Sequence, residues 1–423
     1  MVTETQSMRT GRKLDARLTE LPTPFYLFDE SRFADNIVGF RTALERHWPK
    51  VIVAYSIKTN YVPGLCALAR DLGCVGEAVS RMELELAQRL KFPPNRIIFN
   101  GPLKSASDLQ YAIGLGAVIN LDSLAQVSNL LSLARPLQLQ ARVGLRLNVD
   151  LTKGQSEAHK IAAGGKVPRF GLPHDDAHTA VAQLNEAGVS VISLHGHANS
   201  SDRMPQNYGK IAEQLAGFAE QHQLPLKLLD VGGGFAGQVP EIWNLADSHS
   251  YQDYADAIFQ RLLQSSWFNS IAPHVVVEPG MSVVADCMNY FTRVVAEKTV
   301  LGVDLLGVDG NFFDVRPTLH QKPLPCHVYE RKAEPGDKPH NYTITGSTCM
   351  ERDILLDSFT FPSQVQLGDL LEITHLGAYT TVLSPHFINY APAIFARNKH
   401  GALHEWRRPQ VFDDFFGCYS FGE

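Results

Sequence analysis

Between about residue 50 and residue 280, short apolar runs alternate with longer stretches that mix apolar and charged residues. The apolar runs begin near Val51, Cys74, Arg96, Ala117, Ala141, Val189, Leu226 and His274, which gives eight candidate strands. The stretches between them are long enough for helices, as in Arg81-Met-Glu-Leu-Glu-Leu-Ala-Gln-Arg-Leu90. Regular strand–helix alternation predicts a parallel sheet, because parallel neighbours need a crossover between them. Eight such units predict an α/β fold, a closed (β/α)8 TIM-like barrel over residues 31–285. The alternative is an open doubly wound sheet, which also binds ligands at the carboxyl ends of its strands.

After residue 285 the texture changes. Val294-Val-Ala-Glu-Lys-Thr-Val-Leu301 and Val365-Gln-Leu-Gly-Asp-Leu-Leu-Glu-Ile-Thr374, with Gly, Pro and Asp between them, predict short antiparallel strands and no long amphipathic helix. A β-rich C-terminal domain is expected over 286–400, with a contribution from residues 1–30, and a C-terminal tail over 401–423. Pro24-Phe-Tyr-Leu-Phe28 reads as a strand that either domain can take up.

Composition narrows the function. The 423 residues are 44% hydrophobic and 19% charged, enough for two cores. A net charge of −6 offers no basic surface for nucleic acid and no general attraction to anionic membranes. No apolar run approaches a membrane span, and the polar start Met1-Val-Thr-Glu-Thr-Gln-Ser7 does not resemble a signal peptide. Six cysteines lie scattered without CxxC pairs, which predicts reduced thiols and a cytoplasmic protein. Sixteen histidines without HExxH or a Cys/His cluster predict no metal site.

The candidate chemistry sits where apolar runs end. Val51-Ile-Val-Ala-Tyr-Ser-Ile-Lys58 delivers a lysine into a polar turn. Partial burial there is expected to lower its pKa, leaving an amine that can bond to an aldehyde. No other lysine is expected to follow a barrel strand in a comparable setting. Asp230-Val-Gly-Gly-Gly234 follows another apolar run, and three adjacent glycines exceed what a turn needs. Gly232, Gly233 and Gly234 are therefore expected to turn backbone N–H groups toward a phosphate. His195 and His197, two apart on an extended segment, face the same side. His195 reads as an ordinary core histidine, whereas His197 is equally consistent with a ligand-facing role. Glu278, stopped by Pro279-Gly280, is either a solvated or lysine-paired acid or a catalytic carboxylate at the barrel mouth. Cys349 lies among polar residues, which suits an exposed functional thiol. Together these parts fit pyridoxal 5′-phosphate: a lysine for the aldehyde, glycines for the phosphate, a carboxylate for the pyridine nitrogen and a histidine against the ring.

At this point the sequence resembles the fold-type III pyridoxal-phosphate decarboxylases, the diaminopimelate, ornithine and arginine decarboxylases with an alanine-racemase-like barrel and β-domain. The landmarks are Tyr55-Ser-Ile-Lys-Thr-Asn60, His195-Gly-His197, Gly232-Gly-Gly234, Glu278-Pro-Gly280, Thr348-Cys349 and Gly377-Ala-Tyr379. The resemblance implies that Lys58 carries the cofactor, His197 stacks on it, and Glu278 holds its ring nitrogen. It also implies that Ser200, the Gly232–Gly234 loop and Tyr379 hold the phosphate, that Gly280 belongs to the cofactor site, and that Arg146 lies near the ring hydroxyl. Cys349 is implied as the proton donor to the α-carbon, reaching in from a partner subunit of a homodimer. Two departures stand out. Met281 occupies the place of a phosphate-side arginine, and Met350 that of an acid which binds a distal ammonium. Val315-Arg-Pro-Thr-Leu-His320 resembles the stretch with which diaminopimelate decarboxylases bind a distal carboxylate, with Arg316 kept and His320 in place of a tyrosine. Arg352 adds a cation near the thiol and reads equally as a surface salt bridge.

The expected activity is thus α-decarboxylation of an amino acid with a carboxylate-bearing tail. The siderophore-pathway branch, acting on citryl-diaminopropionate-like conjugates, is set first and diaminopimelate decarboxylase second. A racemase would oppose the pyridine nitrogen with an arginine, which Glu278 disfavours. A non-catalytic regulatory relative would have lost residues that are present here.

Overall fold

The computed structural model describes residues 15–149, 151, 169–197, 203–238, 240, 242, 249–318, 323–329, 336–385 and 387–420. The first strand, β1 (Phe25–Asp29), is followed by eight parallel strands that close on themselves. These are β2 (Val51–Ser56), β3 (Val75–Ala78), β4 (Ile97–Phe99), β5 (Val118–Leu121), β6 (Arg142–Leu147), β7 (Val191–Gly196), β8 (Leu228–Gly233) and β9 (His274–Glu278). The last strand returns to the first, with Val51 opposite Val275 and Val53 opposite Val277. The closed barrel is therefore realised and the open sheet is not.

The barrel's sequence logic is local. Most barrel strands are Val/Ile/Leu-rich and buried along most of their length, as strands covered on both faces must be. The helices between them begin where serines cap them. Ser80, Ser105, Ser123 and Ser250 each accept the N–H three residues on, and Asp108 and Asp253 complete capping boxes. Among the described residues no helix is long and apolar enough to cross a membrane.

The second sheet contains β10 (Met288–Val300), β11 (Val303–Val308), β12 (Cys326–Val328), β13 (His340–Thr345), β14 (Ile354–Phe361), β15 (Leu370–Ile373), β16 (Ala393–Arg397) and β17 (Leu403–Arg407). Its order is β14-β13-β11-β10-β1-β16-β17, with β15 bridging β10 and β12. The open question about residues 24–28 is thereby answered: β1 lies between β10 and β16. Phe25 stacks on Phe291 at 4.8 Å and meets Phe395 edge-on at 5.7 Å, so the chain's start is locked into the sheet built from its end.

One boundary needs correcting. Residues 401–423 are not simply a tail, because Leu403–Arg407 pairs antiparallel with β16. This strand carries Trp406, whose ring lies 5.0 Å from Phe28. Trp406 also covers Gly64 so closely that a Cβ there would lie 2.5 Å from the indole. The indole thus joins the C-terminal sheet to the helix Pro63–Asp71, which follows the Lys58 turn. Trp406→Ala should lower the unfolding free energy by about 2 kcal/mol, less than a fully buried Trp loses because this one is half-buried. Urea unfolding checks this. An unchanged midpoint would show that β17 adds nothing to stability.

Candidate active site

Each barrel strand brings a polar residue to its carboxyl end. Ser56 ends β2, and Lys58 follows it in a short 3-10 turn. Glu77 comes from β3, Asn120 from β5, Arg146 from β6, His195 from β7, Asp230 from β8 and Glu278 from β9, while Asn100 directly follows β4. Ser56 lies opposite Glu77, Arg146 opposite His195, and His195 opposite Asp230 across the parallel ladders. All but Lys58 are buried. Many of its members bond to one another, while Asn120 Oδ1, Arg146 Nε, Asp230 Oδ2 and both His195 ring nitrogens are buried without a hydrogen-bond partner among the described residues.

Lys58 is the cation of this layer. Its Nζ donates to Glu77 Oε2 at 2.6 Å and to Ser56 Oγ at 2.7 Å, and Ser56 Oγ donates to the same carboxylate oxygen at 2.6 Å. Burial alone would push this amine down. The Glu77 carboxylate, with help from Glu278, more than offsets that and raises the Lys58 pKa above its usual value. The expected depression is therefore wrong: desolvation acts, but two carboxylates win. A lysine with a lowered pKa does exist nearby, and it is Lys104, on the turn after β4. Its Nζ donates to the carbonyls of Gly101 and Asn120 (2.8 Å for the latter) and to Gln126 Oε1 at 3.3 Å. Burial brings it down to about 7, against the pull of Asp122. The expectation that Lys58 is the sole strand-end lysine thus also fails. The two differ in reach: the Lys58 side chain is 37% exposed, whereas Lys104 is 3% exposed with its donors committed.

Glu278 is neither solvated nor lysine-paired. Asn100 Nδ2 donates a short hydrogen bond to its Oε1, and His195 Nε2 lies 3.5 Å from its Oε2. Asn100 in turn donates to Glu77 Oε1 at 3.3 Å and accepts from Asn120 at 2.7 Å. His195, Asp230 and Glu278 place one ligand-type atom each within 4.8 Å of one another. Burial and the charge of Glu278 drive Asp230 well upward, so Asp230 holds a proton. Burial also pushes Glu278 up, but His195 and Lys58 outweigh it and keep Glu278 anionic. His195, read as an ordinary core histidine, is part of this group, and neither of its ring nitrogens has a hydrogen-bond partner that meets normal geometry.

His197 accepts the Gly233 N–H at its Nδ1 (2.9 Å), which leaves its proton on Nε2. Burial, then the neighbouring cations, bring its pKa down to about 3, so the ring is neutral. Gly232 and Gly234 have φ of 73° and 90°, values that favour glycine. Gly280 is required for a different reason: a Cβ there would lie 2.0 Å from Thr59 Oγ1, inside the Lys58 turn. Tyr379 joins the same turn, its N–H donating to Thr59 O at 2.9 Å. Arg146 is buried, 3.4 Å from Asp122 Oδ2, with Nε unpartnered.

The remaining candidates lie in the β-domain. No hydrogen bond or ion pair among the described residues joins Cys349, Met350 or Arg352 to the Lys58 group. Cys349 and Arg352 are exposed, and Arg352 makes no ion pair with a described residue, against the salt-bridge reading. Arg316 is half-buried, with Nε unpartnered and its pKa lowered by burial. The buried Asp353, which the motif reading passed over, ties these pieces together by accepting the Phe312 and Thr348 N–H groups at 2.7 Å each. Ser200 and His320 lie outside the described residues.

Comparison with known proteins now has a geometry to meet. Residues 35–285, more than half of the chain, match the pyridoxal-binding domain of the pyridoxal-dependent decarboxylases. The chain belongs to that family. It is 26% identical over 413 residues to a probable chloroplastic diaminopimelate decarboxylase of Oryza sativa subsp. japonica, covering 94% of this chain and 80% of that protein. It is also 26% identical over 380 residues to the diaminopimelate decarboxylase of Helicobacter pylori, covering 86% and 87%. The diaminopimelate decarboxylase of M. jannaschi shares the fold, with a TM-score of 0.84 at 23% identity over 96% of this chain and 94% of that one. The protein is a pyridoxal-phosphate-dependent amino-acid decarboxylase, a carboxy-lyase. The residues present fit that cofactor: an accessible lysine for its aldehyde, a buried anion for its ring nitrogen and a neutral imidazole for its face.

If Glu77 sets the charge on Lys58, Glu77→Gln should lower the Lys58 pKa. The pH midpoint for labelling Lys58 with an amine-reactive reagent in cofactor-free protein should fall by about 1–3 units. Peptide mapping of the label checks it. An unmoved midpoint would contradict the charge balance described above.

Proposed function

We propose that this chain removes the α-carboxylate of an amino acid whose distal end carries a further carboxylate, and that diaminopimelate is that substrate. Its curated relatives over most of its length are diaminopimelate decarboxylases, and this carries the substrate reading. Arg316, a half-buried guanidinium with an unpartnered Nε, suits a distal carboxylate.

In this reading Lys58 holds the cofactor aldehyde and Glu278 holds the ring nitrogen as a hydrogen-bonded anion. His197 supports the ring, with Arg146 beside it. Gly232, Gly233, Gly234, Gly280, Ser200 and Tyr379 surround the phosphate. When bound, the cofactor accepts the electron pair left by departing carbon dioxide. Cys349 Sγ then supplies a proton at the α-carbon. An anion at position 278, not a cation, supports decarboxylation over racemisation, and a complete set of these residues supports catalysis over a regulatory role. The exposure of Cys349, without a bond to the Lys58 group, supports a homodimer in which each subunit completes its partner's site, working in the cytoplasm with its cysteines free. The barrel over 31–285 then carries the cofactor and the β-domain carries the thiol.

A second reading rests on Met350. A thioether cannot pair with an ammonium, so a tail bearing carboxylates and no amine, as in a citryl-diaminopropionate conjugate, suits this position better. His320 and Arg352 would then add to Arg316 at the tail.

Relative kcat/KM across meso-diaminopimelate, ornithine, lysine and the citryl conjugate separates the readings. Diaminopimelate should lead, and Arg316→Ala should cost it about 2–5 kcal/mol of transition-state stabilisation. A citryl conjugate in first place would replace the first reading with the second. The shared site has its own test. Mixing inactive Lys58→Ala with inactive Cys349→Ala subunits should restore part of the activity, whereas no recovery after verified subunit exchange would mean that one chain builds the whole site.

A further inference from the structure

The glycine loop after β8 offers an anion less than its sequence suggests. The Gly232 N–H donates to Asp230 Oδ1 and the Gly233 N–H to His197 Nδ1, both at 2.9 Å. Two of three adjacent glycine donors are thus turned inward. A phosphate lying on this loop carries close to two negative charges at neutral pH and needs a cation from elsewhere.

Arg203 stands beside the loop. Its Nη1 lies 3.5 Å from Met281 Sδ, a weak acceptor, and it forms no ion pair among the described residues. The side chain is half-buried rather than spread into solvent, and its backbone takes φ of 50°, a left-handed value uncommon for arginine. One hydrogen bond fixes its backbone, and two further contacts tie the neighbouring segments to the loop. The Tyr254 hydroxyl donates to Arg203 O at 2.8 Å and accepts the Ala236 N–H at 3.0 Å, joining Arg203 to the far end of the glycine loop. Tyr208, on the helix Pro205–Gln221 that starts two residues later, donates its hydroxyl to Gly233 O at 3.3 Å. Met281 directly follows Gly280, and the loop packs against this segment so tightly that a Cβ on Gly237 would lie 2.4 Å from Ser282 O. An unpaired guanidinium is therefore held over an apolar side chain at the rim of a donor-poor glycine loop.

We infer that Arg203 is the cation that binds the cofactor's phosphate in this chain, reaching it across Met281. The inference rests on the reading that the phosphate lies at Gly232–Gly234. It explains how Met281 can stand beside an anion site without its own positive charge: the charge arrives from the segment before the helix Pro205–Gln221.

The test is binding, not turnover. Cofactor-free protein is titrated with pyridoxal 5′-phosphate and, separately, with pyridoxal, which lacks the phosphate. The visible absorbance of the lysine-linked aldehyde is followed. Arg203→Met should weaken the phosphate ester by roughly 10- to 100-fold and leave pyridoxal unchanged. Adding Met281→Arg to that variant should restore much of the loss, while a merely structural role for Arg203 would show as equal weakening of pyridoxal. The inference is overturned if Arg203→Met keeps the wild-type preference for the phosphate ester, or if both ligands weaken equally. Wild-type protein that binds the two ligands alike would instead overturn the phosphate reading itself.

Discussion

The site depends on one charge balance at the barrel mouth: the Lys58 ammonium is bonded to Glu77, and Glu278 acts on it through charge alone. Either carboxylate left alone there would face a desolvation penalty of several kcal/mol, and so would the ammonium. Their attraction holds the Lys58 pKa above its usual value and that of Glu278 below its own. Everything adjacent is arranged not to disturb this. Burial, and then the charge of Glu278, pushes the Asp230 pKa upward, and burial first, with Arg146 and Lys58 adding to it, keeps His197 neutral. Asn100 bridges the two acids with an uncharged amide, so they share a donor without sharing a proton.

The fold makes that balance possible. Parallel strands in a closed barrel end at one rim, so a polar residue at the end of each strand becomes one layer without any long-range design. The second sheet then fixes what the barrel cannot supply. It takes up the chain's first strand, presents Gly377–Tyr379 to the Lys58 turn through Asn60 and Thr59, and carries the Asp353-organised loop that displays Cys349. Gly280 and Gly377 are the close approaches at this junction. A side chain on either would collide with Thr59 or with the carbonyl of Val284.

Much of this was legible in the chain before any coordinates. All eight barrel strands start within two residues of the positions read from hydrophobic runs, and the first and last begin at Val51 and His274 themselves. Lys58, His197 and Glu278 were legible because each follows an apolar run and precedes a turn. Glu77, Asn100 and Asn120 were passed over as single polar residues in or beside strands, and Asp230 was named only as the residue that opens the glycine run. The barrel reading itself carried the missing signal: if every strand ends at the mouth, the last polar residue of each run belongs there. The charge on Lys58 was not legible, since it depends on Glu77 across a strand pair 19 residues away. Lys104 was hidden for the same reason, because its burial comes from Asn120 and Gln126 on later elements. Asp353 was missed because its partners at 312 and 348 come from two separate turns.

Two lysines at one mouth give the sharpest test. By basicity alone, Lys104, brought down to about 7, is the better nucleophile at neutral pH. By reach, only Lys58 meets a ligand that enters the barrel. Borohydride reduction of the cofactor-loaded protein, followed by peptide mapping, locates the pyridoxyl group. The account predicts it on the peptide containing Lys58 and absent from the one containing Lys104. A pyridoxyl group on Lys104, with Lys58 unmodified, would contradict the assignment of the site.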